Sequence, residues 1–211
     1  MAVSKPFEVK IWTSSHGTDR HHFPASLQKA FLNNTHPLRD SLITFPLVNA
    51  SPGRETKDQF VAEFKQDFDN IPSGVRRVSV ILMGDNDIRS NDYVGASRIE
   101  SNIQRIIDFH HDSPHCLIIC GLLPSPVSWT HTSFLFHRVS NRLYSKVDSL
   151  NKSSIQPHVA FLKVLNIFLD EKGFIEEQKF FDSDRIHLNP QGALQLANYL
   201  ITSILSTVQS F

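Results

Sequence analysis

Apolar and polar positions fall into alternating blocks of two kinds along the chain. Five short runs read as strands: 8–12, 41–48 (SLITFPLV, with Pro46 arguing for its end), 77–83 (RVSVILM), 116–123 and 158–165. The third is almost continuously apolar, as a strand covered on both faces should be. Between the runs lie stretches with apolar residues at helical spacing. Residues 24–33 carry Leu27, Ala30 and Phe31; 58–68 carry Phe60, Val61, Phe64 and Phe68; 93–109 carry Ile99, Ile103, Ile106 and Ile107. Residues 133–150 carry Phe136, Val139, Leu143 and Val147, and 190–207 open on Pro190, which suits a first helical turn.

Strands that alternate with helices predict a parallel sheet covered on both sides, an α/β three-layer αβα sandwich of about five strands. Ligands of such sheets bind beyond the carboxyl ends of the strands. Four small polar segments are expected at that edge: 13–17, 51–53, 84–87 and 182–189. The chain has 211 residues without a repeat, a low-complexity block or a linker, so 1–211 reads as a single domain.

Composition and charge then remove several functional classes. With 40% hydrophobic and 20% charged residues, the chain is ordinary globular material. Lys and Arg (21) balance Asp and Glu (21), so no general attraction to nucleic acid or an anionic membrane is expected. Only Arg76-Arg77 and Arg138 with Arg142 suggest local basic patches. No apolar run is long enough to span a membrane, and the opening MAVSKPFEVKIW lacks a signal peptide's apolar stretch. Cys116 and Cys120 would share one face of a strand roughly 13 Å apart, too far for a disulfide. These features predict a reduced protein, cytoplasmic or otherwise intracellular.

Three segments carry candidate chemistry. Asp184 precedes His187 by three residues, a spacing at which a carboxylate can orient an imidazole as a general base; Asp182 is a second carboxylate nearby. Asn86, after the third strand, can donate its amide into the crevice. Ser14 and Ser15 follow the first strand, where a hydroxyl and a backbone N–H can both be presented to a substrate; strand counting from Val9 to Trp12 favours Ser15. The pairs His21-His22 and His110-His111, with His115, form no metal signature, and no metal is expected. His16 is expected in a solvated loop, with a pocket wall as the alternative. Phe174, Phe180 and Phe181 are expected to pack as core.

Together these blocks resemble those of the SGNH (GDSL-type) hydrolases. Gly84-x-Asn86-Asp87 resembles the third block of that family; Asp184-x-x-His187, followed by Leu188, Asn189 and Gly192, resembles the fifth. Gly53 matches the second-block glycine, and Thr13-Ser14-Ser15 stands where the first block has Gly-Asp-Ser. The resemblance spans nearly the whole chain with the blocks in order. It implies a flavodoxin-like sandwich and a serine esterase or acetylhydrolase that needs no cofactor and acts on a small-molecule ester. Ser15 would be the nucleophile, His187 its base and Asp184 the orienting carboxylate. The oxyanion hole would comprise the Ser15 N–H, the Gly53 N–H and the Asn86 amide. Thr13 and Ser14 depart from the pattern, and that departure supports a rival expectation: an inactive SGNH-like module that binds protein or RNA, as in germ-plasm or retroelement-encoded proteins. The intact Asn86, Asp184 and His187 favour the enzyme.

Overall fold

Strands β1 (Glu8–Thr13), β2 (Leu47–Ala50), β3 (Arg77–Leu82), β4 (Cys116–Cys120) and β5 (Val159–Leu162) form one sheet in the order β2-β1-β3-β4-β5. Every neighbouring pair is parallel. The helices are α1 (Phe23–Asn33), α2 (Arg39–Leu42), α3 (Asp58–Asp69), α4 (Asp85–His110), α5 (Trp129–Ser153), α6 (Glu177–Phe180) and α7 (Pro190–Gln209). One-turn 3-10 helices lie at Ser15–Gly17 and Val164–Phe168. This computed structural model describes residues 6–37, 39–110, 113–153 and 159–210; the expectations placed on 1–5, His111 and His158 lie outside the described residues.

Side-chain alternation along the strands divides the interior into two layers. Val9 and Ile11 of β1, Val80 and Leu82 of β3, and Ile118 of β4 face one way, against Phe23 and Leu27 of α1 and Leu196 and Leu200 of α7. Trp12, Ile81, Leu117 and Ile119 face the other way, against Phe64 of α3, Ile99 and Ile103 of α4, and Phe136 of α5. Each such Leu, Ile or Phe removed from water contributes about 1.5–3 kcal/mol, so both layers are needed to hold the sheet between them. Cys116 and Cys120 are free, buried and on the same face, as their spacing predicted. Among the described residues, no helix is long and apolar enough to cross a membrane.

The structure corrects several expectations. The run 41–48 is not one strand: Ser41 and Leu42 end α2, Ile43 bridges to Phe7, and β2 begins only after Pro46. Proline cannot donate to a ladder, so it closes the approach to the strand rather than the strand itself. Helix α4 starts at Asp85, not at 93. Asp85 and Asp87 favour the positive end of the helix dipole, and Ile88 is fully buried beneath the first turns. The weak helix formers at 90–92 mask that start in the sequence.

Phe180 and Phe181 join the core, but Phe174 is 64% exposed, carried outward on the turn after Gly173. The basic pair Arg76-Arg77 forms no patch. Arg77 is buried and paired with Asp67 at 2.7 Å and Glu8 at 3.2 Å, and Arg76 lies over the Phe7 ring.

Candidate active site

From β1 the chain crosses to β2 on one side and later returns to β3 on the other. Sheets of this order have their topological switch point between β1 and β3, where a crevice opens at the carboxyl ends. Thr13 pairs with Ala50 of β2 and with Leu82 of β3, so the segments that leave β1, β2 and β3 emerge side by side.

Ser15 opens the one-turn helix after β1, and its Oγ lies 2.9 Å from His187 Nε2. His187 Nδ1 lies 2.6 Å from Asp184 Oδ2. The other oxygen, Asp184 Oδ1, accepts the backbone N–H groups of Ile186 (2.8 Å) and His187 (2.9 Å). Burial pushes the Asp184 carboxyl up, but the hydrogen bonds from the His187 ring and from these two N–H groups outweigh it and hold the group at about 2. The carboxylate is therefore charged throughout the range in which an imidazole titrates.

The loop that carries this pair is tied at both ends. Phe181 bridges to Leu188, the Asp182 N–H donates to the His187 carbonyl, and Arg185 takes a left-handed conformation at φ 58. Asn189 caps α7 by accepting the Gly192 N–H at 2.9 Å, with Pro190 in the first turn. Ser14 and Asp182, the alternatives left open by the sequence, point elsewhere. Ser14 is buried with its Oγ 3.5 Å from Asp85 Oδ1, and the Asp182 carboxylate lies 3.9 Å from His22 Nε2.

Asn86 sits in the first turn of α4, where Gly84 makes the sharp exit from β3. Gly84 has φ 117, and a β-carbon there would lie 2.5 Å from the Leu122 side chain, so only glycine fits. The Asn86 Oδ1 accepts from Arg89, and its Nδ2 donates to the Arg54 carbonyl at 3.0 Å. A guanidinium can only donate, which fixes the amide orientation, and the Arg54 bond uses one of the two amide hydrogens.

Gly53 lies in the turn after β2 at φ 66, and the Arg54 N–H closes that turn on the Ser51 carbonyl. Two clamps hold the turn. The Arg54 guanidinium donates to Asn49, and Asp87 accepts both the Thr56 N–H (2.8 Å) and the Thr56 hydroxyl (3.0 Å). Asp87 is fully buried and also accepts from Arg98. A cavity of about 240 Å³ opens beside this turn, lined by Gly53, Arg54, Lys57 and Phe60 among others; neither Ser15 nor His187 lines it.

His16 corrects another expectation, because it is buried rather than solvated. Its Nε2 is 3.9 Å from Asp85 Oδ2, yet the two are not an ion pair. Burial, followed by the nearby His187, His21 and Arg89, pushes the His16 imidazole down to about 3, so it is neutral near pH 7. Burial likewise pushes the Asp85 carboxyl up.

No protein-family model matches the chain, and no curated protein matches it in sequence. Solved structures do match. Axe2, an acetylxylan esterase from Geobacillus stearothermophilus, superposes with a TM-score of 0.71 at 12% identity, over 97% of this chain and 96% of that one. A GDSL-like lipase from Bacteroides thetaiotaomicron gives 0.64 at 15% identity, over 93% and 87% of the two chains. LAE5, an alpha/beta hydrolase enzyme from the metagenome of Lake Arreo, gives 0.70 at 14% identity, over 97% of each. The chain has the SGNH hydrolase fold.

Within this SGNH fold the altered first block has a local explanation. Thr13 is wholly buried in the position where the family pattern has glycine, and its side chain fills the space that a β-carbon on Gly17 would need. Sequence reasoning missed three residues that hold the candidate site. Arg89 was findable, because it lies three residues after Asn86 on one helix face once α4 is started at Asp85. Arg54 and Thr56 carry no signal in the sequence, because each reaches Asn86 or Asp87 through contacts made only when distant segments meet.

Proposed function

We propose that this protein is a serine esterase of the SGNH type that cleaves a small or acyl ester. The observation that carries the proposal is the continuous relay from Asp184 through His187 to Ser15, at 2.6 and 2.9 Å. His187 Nε2 takes the Ser15 proton as Oγ attacks the ester carbonyl carbon. The oxyanion that forms is met by the Ser15 N–H, the Gly53 N–H and the second hydrogen of the Asn86 amide; one such donor is typically worth about 3–4 kcal/mol. His187 then passes the proton to the departing alkoxide, which leaves as the alcohol. Water, activated by the same imidazole, attacks the acyl-serine and releases the carboxylic acid. Each step uses protein groups and water alone. Axe2 is named as an acetylxylan esterase and the Bacteroides protein as a lipase, which supports an ester as the substrate class.

The test is labelling with a fluorophosphonate probe and turnover of p-nitrophenyl acetate. Ser15→Ala is expected to lose both, whereas Ser14→Ala keeps most of the labelling. Labelling that survives Ser15→Ala and vanishes in Ser14→Ala reverses the assignment. The departure at Thr13 and Ser14 favours one other reading, a binding module without activity. Absence of labelling and of turnover in the wild-type chain would move that reading to the front.

A further inference from the structure

Both edges of the His187 imidazole are in use, Nδ1 towards Asp184 and Nε2 towards Ser15. A ring held only at its edges can still tilt about the line joining them. One face of it is covered: the His21 ring lies against it, with centroids 3.8 Å apart and planes within 13°. His16 stands tilted on the buried side, its centroid 5.2 Å away. His21 is brought there by the backbone that follows Ser15. The Thr18 N–H and hydroxyl both donate to the Ser15 carbonyl (3.1 and 2.8 Å), and the His21 N–H donates to the Thr18 carbonyl (3.0 Å). The turn that presents the Ser15 hydroxyl on one side therefore returns to cover the His187 ring on the other.

We propose that His21 is a positioning residue for ester hydrolysis: its ring keeps the His187 imidazole in the plane joining Asp184 to Ser15 and turns a π face towards the charge that His187 gains with the Ser15 proton. This rests on the reading of Ser15 and His187 as nucleophile and base. An aromatic face attracts a cation, and two stacked imidazoles resist carrying charge together. The balance of the groups that face His21 favours its neutral form. Burial and the charge of His187 push the His21 imidazole down, His22 adds to this, and Asp184 and Asp182 oppose it. Around His187 itself stand Asp184, His21 and His16, the last flanked by Asp85 and Arg89. His187 is thus placed to take the proton while His21 remains an uncharged surface.

The experiment compares kcat and KM for a soluble acetyl ester in wild type, His21→Ala, His21→Phe and Ser15→Ala. His21→Ala is expected to lower kcat about tenfold with KM changed less than about twofold, because the stacked face acts on the charged state and not on substrate binding. His21→Phe keeps a face and cannot titrate, so it is expected to recover kcat to within about threefold of wild type. Wild-type kcat in His21→Ala, a loss confined to KM, or a loss in His21→Phe as large as in His21→Ala overturns the inference. Activity that survives in Ser15→Ala overturns the site reading, and the inference with it. A readout independent of turnover is the NMR titration of the His21 ring. Burial, the larger cause, remains when His187 is replaced by Gln, but the competing charge is removed, so the His21 midpoint should move up. An unmoved midpoint would show that the His21 ring does not feel the charge on His187 and would overturn the inference without reference to catalysis.

Discussion

The γ-methyl of Thr13 stands where a side chain at position 17 would begin, and Gly17 has none. A β-carbon on Gly17 would lie 2.0 Å from Thr13 Cγ2, 2.9 Å from Val48 Cγ1 and 3.0 Å from the Ala50 β-carbon. The turn that presents Ser15 is therefore built on a compensating pair, a branched residue at the strand end and glycine one turn later.

Gly17→Ala is accordingly expected to destabilise the protein by about 1–3 kcal/mol, the usual cost of overpacking a closed site. Part of that loss should return in the double variant Thr13→Gly/Gly17→Ala, although Val48 and Ala50 still crowd the new methyl. Urea unfolding of wild type, Thr13→Gly, Gly17→Ala and the double variant gives the coupling between the two positions, expected at about 1 kcal/mol. Strictly additive effects would show that the turn shifts as a whole and that the two residues are independent.

The relay distinguishes two neighbouring carboxylates. Asp184→Asn is expected to lower kcat by about 10²–10⁴-fold, because the imidazole loses the partner that selects its tautomer and holds its charge. Asp182→Asn should change kcat little, since that side chain faces His22. The Asp184 carboxyl is held at about 2, so its own protonation should produce no limb in the rate profile above about pH 3. Rates for the three proteins between about pH 4 and 9 check all of these expectations. A larger loss in Asp182→Asn would move the carboxylate upstream.

His16 links stability to pH. In the folded chain it stays neutral down to about 3, whereas the unfolded chain binds a proton near the ordinary value of 6.5. Between those values the unfolded state holds more protons, so stability is fully present above about pH 6.5 and is lost as pH falls towards about 3. Buried Asp85, with its carboxyl pushed up, acts with the opposite sign and loses stability as pH rises. Chemical unfolding of wild type and His16→Leu at a series of pH values isolates the histidine. The difference between the two curves should slope towards lower wild-type stability with acid, by at most about 1.4 kcal/mol per pH unit. A flat difference would mean that His16 accepts a proton in the folded state.

The Asp87–Thr56 clamp predicts a coupled defect. Thr56→Val removes one hydrogen bond to a fully buried carboxylate and is expected to cost about 1.5–3 kcal/mol. The clamp holds the turn that carries Gly53, so kcat should fall with KM less affected if the Gly53 N–H meets the oxyanion. Wild-type kcat in a folded Thr56→Val protein would remove Gly53 from the proposed hole.

Local pattern in the sequence was enough for much of this. The continuous apolar character of 77–82 and 116–120 is what a strand covered on both faces requires, and both segments are fully buried strands. Asp184 and His187 lie within one turn, so their meeting depends on short-range geometry that a three-residue spacing already implies. The strand at 41–48 and the late start of α4 failed because weak local preferences there are overridden by what the segments pack against. Pairing with β1 decides where β2 lies, and burial of Ile88 carries α4 back to Asp85.

The rest was decided by tertiary structure, and the reason is physical. Any order of five parallel strands buries the same alternating faces, so the apolar pattern does not encode which strand ends become neighbours. The order β2-β1-β3-β4-β5 does encode it. It brings Ser15 to His187 across 172 residues of chain, sets Arg54 against Asn86, and puts the imidazole face beside His21. It also seals His16 beside Asp85, where desolvation keeps the imidazole neutral, a consequence of burial that its place in a polar loop sequence does not reveal.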